Sequence, residues 1–375
     1  MKKSIYLMLF TLLLTGCSHP EGNGSTNSQP SNDSSNPSIT ETKETYLRPI
    51  GRYYVEEKGN QEILYFANSC SGFEVSLNAK SSIDFQFTLF GQTTQPYNTQ
   101  FAKVYVDNTY VETIEVANGN KDYTLKEKIT AGSHVIKILK QNEPAFSKIG
   151  LVDIQEGDYE FVNFTKDTRK KIEFYGDSIT CGYGNLTDNQ HGFSMDTEDG
   201  TLAYTQLCAD QLNYQNSVVS YSGIAMALSP FNSNFTMLDR YKTIDGSREW
   251  NFANYVPDVI VINIGTNDNT KFKQLTASEQ ESKVNLFFEN LKTMALDLQQ
   301  KTPNAKFVFP YNMMTELHSY LVTAIDSTVA ALNKNNDDCA SSLEFSHNTA
   351  GADGHPSKEG HAQFANILAN YIQML

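Results

Sequence analysis

The sequence predicts an α/β protein in two parts: an N-terminal all-β sandwich of jelly-roll type, then a parallel sheet sandwiched by helices. Between Tyr46 and Tyr159 apolar residues alternate with polar ones at period two, and no helical period of useful length interrupts them. From Lys170 onward, strand-like apolar runs alternate with stretches of i+3/i+4 apolar spacing, the pattern of βαβ units. Polar motifs stand at the carboxyl ends of these later runs, where parallel sheets place their sites.

At 375 residues the chain has room for two domains of ordinary size and a tail. Lys and Arg number 29 against 43 Asp and Glu, a net charge of −14. So acidic a chain is a poor partner for phosphate backbones, and no nucleic-acid role is expected. With 20 Tyr and 22 Phe the chain is too rich in bulky apolar groups to be disordered throughout. Its hydrophobic share of 39% is nevertheless low for a wholly globular protein, so part of it lies outside a core.

The N-terminus supplies that part. Lys2 and Lys3 precede an apolar stretch, Ile5 to Leu14, shorter than the roughly 20 residues a spanning helix needs. The stretch ends in Leu14-Thr15-Gly16-Cys17, which resembles the lipobox of bacterial lipoproteins. That resemblance implies export, lipidation at Cys17 and anchoring in the cell envelope, with the membrane as partner; an ordinary cleaved signal is the alternative. The Ser/Asn/Thr/Gly/Pro-rich run that follows has almost nothing to bury. The expected organisation is a signal peptide over 1–16, a tether over 17–45, a β-sandwich domain over 46–160 and the α/β domain over 165–375.

In the β region, alternation is clearest at Phe73 to Leu77, Ile83 to Leu89, Val104 to Val106 and Val135 to Ile138. Turn-prone clusters such as Asn118-Gly119-Asn120 separate them. The region either binds carbohydrate or walls one side of a site in the next domain.

In the second region Lys170–Tyr175, Asn216–Ser222, Asp258–Ile264, Lys306–Pro310 and Ser342–Phe345 read as strands. The third is a near-continuous apolar run, typical of a central strand buried on both faces. Thr276 and Glu279 form a capping box. A stripe of Val284, Phe287, Phe288, Leu291, Ala295 and Leu298 follows, until Pro303 stops the helix. A last helix starts near Ser357, with Phe364, Leu368, Tyr371 and Leu375 as its stripe.

The chemistry lies at the strand ends. Ser178 stands three residues past the first strand, in Gly176-Asp177-Ser178-Ile179-Thr180. A serine hydroxyl needs a base, and Asp353-Gly354-His355 offers an imidazole with a carboxylate two residues away to orient it. The chain order Ser, Asp, His suits a triad on an α/β scaffold. Asn267, in Gly265-Thr266-Asn267-Asp268, can donate its amide to an oxyanion, and Gly223 ends the second strand with an unshielded N–H. With the Ser178 N–H these make three donors for one oxyanion hole.

These residues resemble the four sequence blocks of the SGNH (GDSL) hydrolases: Gly176-Asp-Ser-Ile-Thr, the Gly after the second strand, Gly265-Thr-Asn-Asp and Asp353-x-His355. The resemblance covers about residues 168–375. The fuller string Gly176 to Gly184 behind a β-sandwich is similar to carbohydrate esterase family 2. That family joins a jelly roll to a flavodoxin-like three-layer αβα SGNH domain and removes acetyl groups from polysaccharides such as xylan and glucomannan. The resemblance implies Ser178 as nucleophile, His355 as base, Gly223 and Asn267 as oxyanion donors, and an acetylated carbohydrate as substrate. Some members work with a Ser-His dyad; with Asp353 present, a triad is expected here.

Plainer readings stand beside these. Ser178 could be a helix cap and His347 the base instead; Asp177 and Asp268 are expected to bond turn N–H groups; His191, His318 and His361 suit surface or packing positions. Tyr183 is expected to line the mouth of the site, and Trp250 either stacks on sugar or packs. Cys70, Cys181, Cys208 and Cys339 either pair, with Cys181 and Cys208 the nearest candidates, or stay as buried thiols. No metal-binding or nucleotide-binding spacing is present, so no cofactor is expected. The expectation is an acetylesterase working through an acetyl-enzyme. The alternatives are a lipase- or thioesterase-type acylhydrolase, or a lipid-anchored carbohydrate-binding protein with a vestigial site.

Overall fold

The computed structural model describes residues 46–375 apart from Asn232 and Asn335. The leader, Cys17 and the tether lie outside the described residues. No helix among the described residues is long and apolar enough to cross a membrane.

Eleven strands come first. β1 (Leu47–Ile50), β2 (Tyr53–Lys58), β3 (Gln61–Phe66), β4 (Gly72–Ala79) and β5 (Gln86–Thr93) lead to β6 (Phe101–Val106), β7 (Thr109–Glu115) and β8 (Gly119–Thr124). β9 (Gly132–Lys140), β10 (Ser147–Ile154) and β11 (Tyr159–Phe161) complete the set. They form two antiparallel sheets, ordered β1-β4-β9-β6-β7, with β11 also on β4, and β2-β3-β10-β5-β8. The inward faces meet in one core containing Phe66, Phe73, Val75, Leu77, Phe85, Phe87, Val104 and Ile138.

The period-two runs found β4, β5, β6 and β9. Ile83 makes only an isolated bridge with Ile129, ahead of β5. β3 escaped notice because both its faces are covered: Leu64 and Phe66 enter the sandwich core, while Ile63 and Tyr65 join a second cluster with Trp250, Ile244 and Tyr255. A strand buried on both sides loses the alternation that marks a half-wet one.

The later chain builds one parallel sheet from β12 (Lys171–Gly176), β13 (Gln215–Ser220), β14 (Val259–Asn263), β15 (Lys306–Tyr311) and β16 (Ala340–Glu344). Its order, β13-β12-β14-β15-β16, is the flavodoxin-like one, with the topological switch between β12 and β14. Every residue of β14 is buried. The helices are α1 (Ser178–Cys181), α2 (Tyr204–Leu212), α3 (Met237–Arg240), α4 (Thr266–Phe272), α5 (Ala277–Lys301), α6 (Ser319–Asn333) and α7 (Lys358–Ile372). α5 and α6 cover one face of the sheet and α2 and α7 the other, giving three layers.

The capping box of α5 is present: Thr276 Oγ1 accepts the Glu279 N–H and Glu279 Oε2 accepts the Thr276 N–H at 2.8 Å. In α7 the buried stripe is Phe364, Ala365, Leu368, Ala369 and Ile372. The expected Leu375 falls past the helix end and is exposed. Cys70, Cys181, Cys208 and Cys339 are all buried free thiols.

Candidate active site

The site stands at the switch point. Gly176 ends β12 where a Cβ would come within 2.0 Å of Thr180 Oγ1 and 2.8 Å of the Asn263 carbonyl, so only glycine passes between β14 and the next turn. Asp177 then caps α1, its Oδ1 accepting the Ile179 N–H at 3.1 Å. This fixes Ser178 as the first helical residue, with its N–H outside the helix ladder and its side chain at the carboxyl edge of the sheet.

His355 reaches Ser178 from the turn before α7. Its Nε2 lies 2.8 Å from Ser178 Oγ. Its Nδ1 lies 3.1 Å from the Ala352 carbonyl oxygen, which also accepts the His355 backbone N–H at 2.9 Å. A carbonyl only accepts, so Nδ1 carries the proton. In the neutral ring Nε2 is then an acceptor, and the Ser178 hydroxyl donates to it. Burial holds the His355 pKa below its ordinary value, against the raising effects of the Ala352 carbonyl and the Asp353 charge. The unprotonated base is therefore the resting form at neutral pH.

Asp353 is not on the imidazole, contrary to the triad expectation. It sits in the left-handed region (φ 51°, ψ 29°) of a 3-10 turn, and its Oδ2 accepts the Tyr183 hydroxyl at 3.2 Å. The turn that was to aim the carboxylate at His355 brings the Ala352 carbonyl there instead. Tyr183 packs against the His355 ring at 4.4 Å and stacks on Phe193 at 4.0 Å. It borders the base.

The expected oxyanion donors follow the ends of three adjacent strands, β12, β13 and β14. Among the described residues the N–H groups of Ser178 and Gly223 have no acceptor. Gly223 has φ +76°, and the exposed ring of Phe231 lies where its Cβ would be. Asn267 differs from expectation: its Nδ2 donates to the Ile224 carbonyl at 2.9 Å and lies 3.4 Å from Asp177 Oδ2. It ties the Gly223 loop to the Asp177 turn, and only the longer contact is weak enough to be exchanged for a ligand. Asp268 takes the structural part foreseen for it, accepting the N–H groups of Met226, Ala227 and Leu228 at 2.7–2.9 Å. Burial nonetheless raises Asp268 to about 6 and Asp177 to about 7.

The remaining candidates lie elsewhere. Trp250 is 6% exposed and packs with Tyr54, Tyr65 and Tyr255 where the β region meets the α/β region, so its side chain is spent on packing. His347 is exposed and has no contact with Ser178. His191 is a surface residue bonded to Asp188, His318 caps α6, and buried His361 accepts the Tyr204 N–H. No group of three His, Cys, Asp or Glu able to hold a metal forms among the described residues.

Sequence reasoning missed three contributors. The Ala352 carbonyl carries no letter of its own. Phe193 supports Tyr183 from a loop without periodicity. Glu143, from the segment between β9 and β10, accepts the Ser222 N–H at 2.7 Å, one residue before Gly223. Its only signal is Gln141-Asn142-Glu143-Pro144, a polar run directly after a strand.

The arrangement can activate a hydroxyl and stabilise a developing oxyanion. The GDSL-like lipase/acylhydrolase family model matches residues 172–368. The cellulase/esterase CelE of Acetivibrio thermocellus is 27% identical over 320 residues, covering 80% of this chain; the chain spans only 36% of that protein's length. An acetylxylan esterase/glucomannan deacetylase of Cellvibrio japonicus is 24% identical over 282 residues, covering 72% of this chain and 75% of that one. Among solved structures, a family two carbohydrate esterase from Clostridium thermocellum, in complex with cellohexaose, superposes with a TM-score of 0.76. It is 23% identical, covering 88% of this chain and 98% of that one, a likeness of fold.

Proposed function

The chain belongs to the GDSL-like lipase/acylhydrolase family, and on that premise we propose that it is a serine esterase removing O-acetyl groups from a polysaccharide or its oligosaccharides. The observation that carries this is the 2.8 Å contact of Ser178 Oγ with His355 Nε2, beside two backbone N–H groups without acceptors. In this reading Ser178 Oγ attacks the acetyl carbonyl as His355 Nε2 takes its proton. The C=O electron pair moves onto oxygen, which the Ser178 and Gly223 N–H groups bind, with the Asn267 amide as third donor. Collapse expels the sugar oxygen, which His355 protonates. Water, deprotonated by the same nitrogen, then cleaves the acetyl-enzyme and releases acetate.

The substrate class rests on the relatives, an acetylxylan esterase/glucomannan deacetylase among them. The charge around the site supports a neutral glycan over an anionic one: exposed Asp353 accepts the Tyr183 hydroxyl beside His355. Tyr183 is the side chain best placed to border the sugar, while Trp250 is withdrawn from that part. We read residues 46–160 as a domain buttressing the catalytic domain of 165–375. Residues 1–16 read as an export signal, Cys17 as the lipid site and 17–45 as a tether holding the enzyme off the membrane.

The test is acetate release from acetylated xylan and glucomannan, run beside p-nitrophenyl esters of increasing acyl length. The proposal predicts release from the glycans and falling turnover beyond acetyl. Preference for long acyl chains would favour the lipase reading. Glycan binding without acetate release would mark a vestigial site.

A further inference from the structure

The turn between β9 and β10 belongs to the β region, yet it enters the floor of the active site. Glu143 is fully buried there. Its Oε2 accepts the Ser222 N–H at 2.7 Å and lies 3.5 Å from the Cys181 thiol. Ser222 immediately precedes Gly223. Cys181 closes α1, the helix that Ser178 opens, and its thiol also lies 3.2 Å from Ser220 Oγ at the end of β13. One carboxylate thus touches the backbone just ahead of Gly223 and, through the Cys181 thiol, the helix that Ser178 opens.

The Glu143 main chain is firmly held, while its carboxylate Oε1 is buried without a hydrogen-bond partner among the described residues. The Glu143 N–H donates to Glu198 Oε2 at 3.0 Å, and its carbonyl accepts from Lys140 Nζ at 3.0 Å. Gln141 Nε2 donates to the Glu198 carbonyl at 2.8 Å, and the Gln141 carbonyl accepts the Gly200 N–H at 3.0 Å. Pro144 follows, restricting the Glu143 backbone to extended conformations. A buried carboxylate with one oxygen unpartnered and the other aimed at a loop N–H is costly unless it holds something in place.

We infer that Glu143 is a positioning residue contributed by the β region, which sets the oxyanion hole by holding the Tyr221–Ser222 peptide, one peptide ahead of the Gly223 N–H, against α1. This inference rests on the reading of Ser178 as nucleophile. Backbone donors must meet the oxyanion within a few tenths of an ångström, and a misplaced donor loses most of its value. Glu143 acts on turnover through Gly223 and touches no substrate.

The experiment compares Glu143→Ala and Glu143→Gln in the full chain, with Glu173→Gln as an equally buried control away from the Gly223 loop. Two readouts are taken: kcat and KM for p-nitrophenyl acetate, and hydrogen exchange at the Ser222 amide. Glu143→Ala should lower kcat roughly 10- to 100-fold, with KM within about twofold and faster Ser222 exchange. Glu143→Gln keeps an acceptor for the N–H and should stay within about threefold of wild type on both readouts. Glu173→Gln should lower the unfolding midpoint and leave kcat within about twofold. If Glu143→Ala does not fold, Glu143→Asp, which withdraws the carboxylate by one methylene, should cost about tenfold in kcat. Wild-type kcat in the Ala or Asp variant, or an equal loss in all variants that tracks stability, overturns the inference. A wild-type protein without esterase activity would fell the esterase reading instead; unchanged Ser222 exchange in Glu143→Ala would still overturn the clamp.

Discussion

His355 is oriented by a neutral carbonyl, and that choice has measurable consequences. A carboxylate on Nδ1 would stabilise the imidazolium that forms as Ser178 attacks; the Ala352 carbonyl fixes the tautomer with a weaker charge effect. Asp353→Asn should therefore lower kcat by less than about tenfold, where removing a true triad carboxylate costs about 10⁴. Asn also tolerates the left-handed backbone at this position. A loss of 10³ or more in steady-state kinetics would restore the triad.

The pH dependence follows from the same residue. Catalysis needs unprotonated His355, whose pKa burial lowers, so kcat/KM should rise with pH and level off, its midpoint below about 6.5. The Asp353 charge pulls that pKa upward, so Asp353→Asn should move the midpoint to lower pH. A midpoint above 6.5, or an upward shift in the variant, would contradict the placement. The letters of Ser178 and His355 were enough to pair them, because each stands next to a recognisable strand end or helix start; what Asn267 donates to was not legible in its letter. Asp353 misled because its direction depends on a φ of 51°, which spacing does not encode.

At the scale of elements, the parallel strands β12 to β15 were legible as runs that are almost wholly buried; β16 is half-buried at the sheet edge. α5 is the clearest helix, announced by Thr276 and Glu279 and ended before Pro303. Thr276→Ala removes one half of the capping box and should cost about 1 kcal/mol in denaturant unfolding. The Thr276 side chain bonds Glu279 and, among the described residues, no site residue, so kcat should be unchanged within twofold; a large kcat loss would tie α5 to the site. The β region was less legible for two opposite reasons. β8, Gly119-Asn-Lys-Asp-Tyr-Thr124, has almost no apolar face to show, whereas β3 has two.

At the scale of the molecule, the β region is bound to the α/β region by buried polar groups as well as apolar ones. Arg52, fully buried between β1 and β2, donates to Glu173 Oε1 at 3.1 Å and to Tyr175 Oη at 2.9 Å. It also donates to the carbonyls of Tyr241 and Thr243 at 2.6 and 2.8 Å. Trp250 and Phe252 flank its guanidinium. Deleting one member of a buried ion pair typically costs 3–5 kcal/mol. Arg52→Ala should lower unfolding stability by about that amount while keeping one cooperative transition across both regions. Two separated transitions, with only one moved by the substitution, would make the regions independent. This contact was invisible in the sequence because its partners stand 121 and more residues apart.

The central claim is that Ser178, activated by His355, is the nucleophile of an acetylesterase. The most direct test measures acetate release from acetylated xylan by wild type, Ser178→Ala and His355→Ala, with labelling by a fluorophosphonate that reacts only with an activated serine. The account predicts a fall of at least about 10³ in both variants, with label on Ser178 in wild type alone. Turnover surviving in Ser178→Ala, or label on another serine, would contradict it.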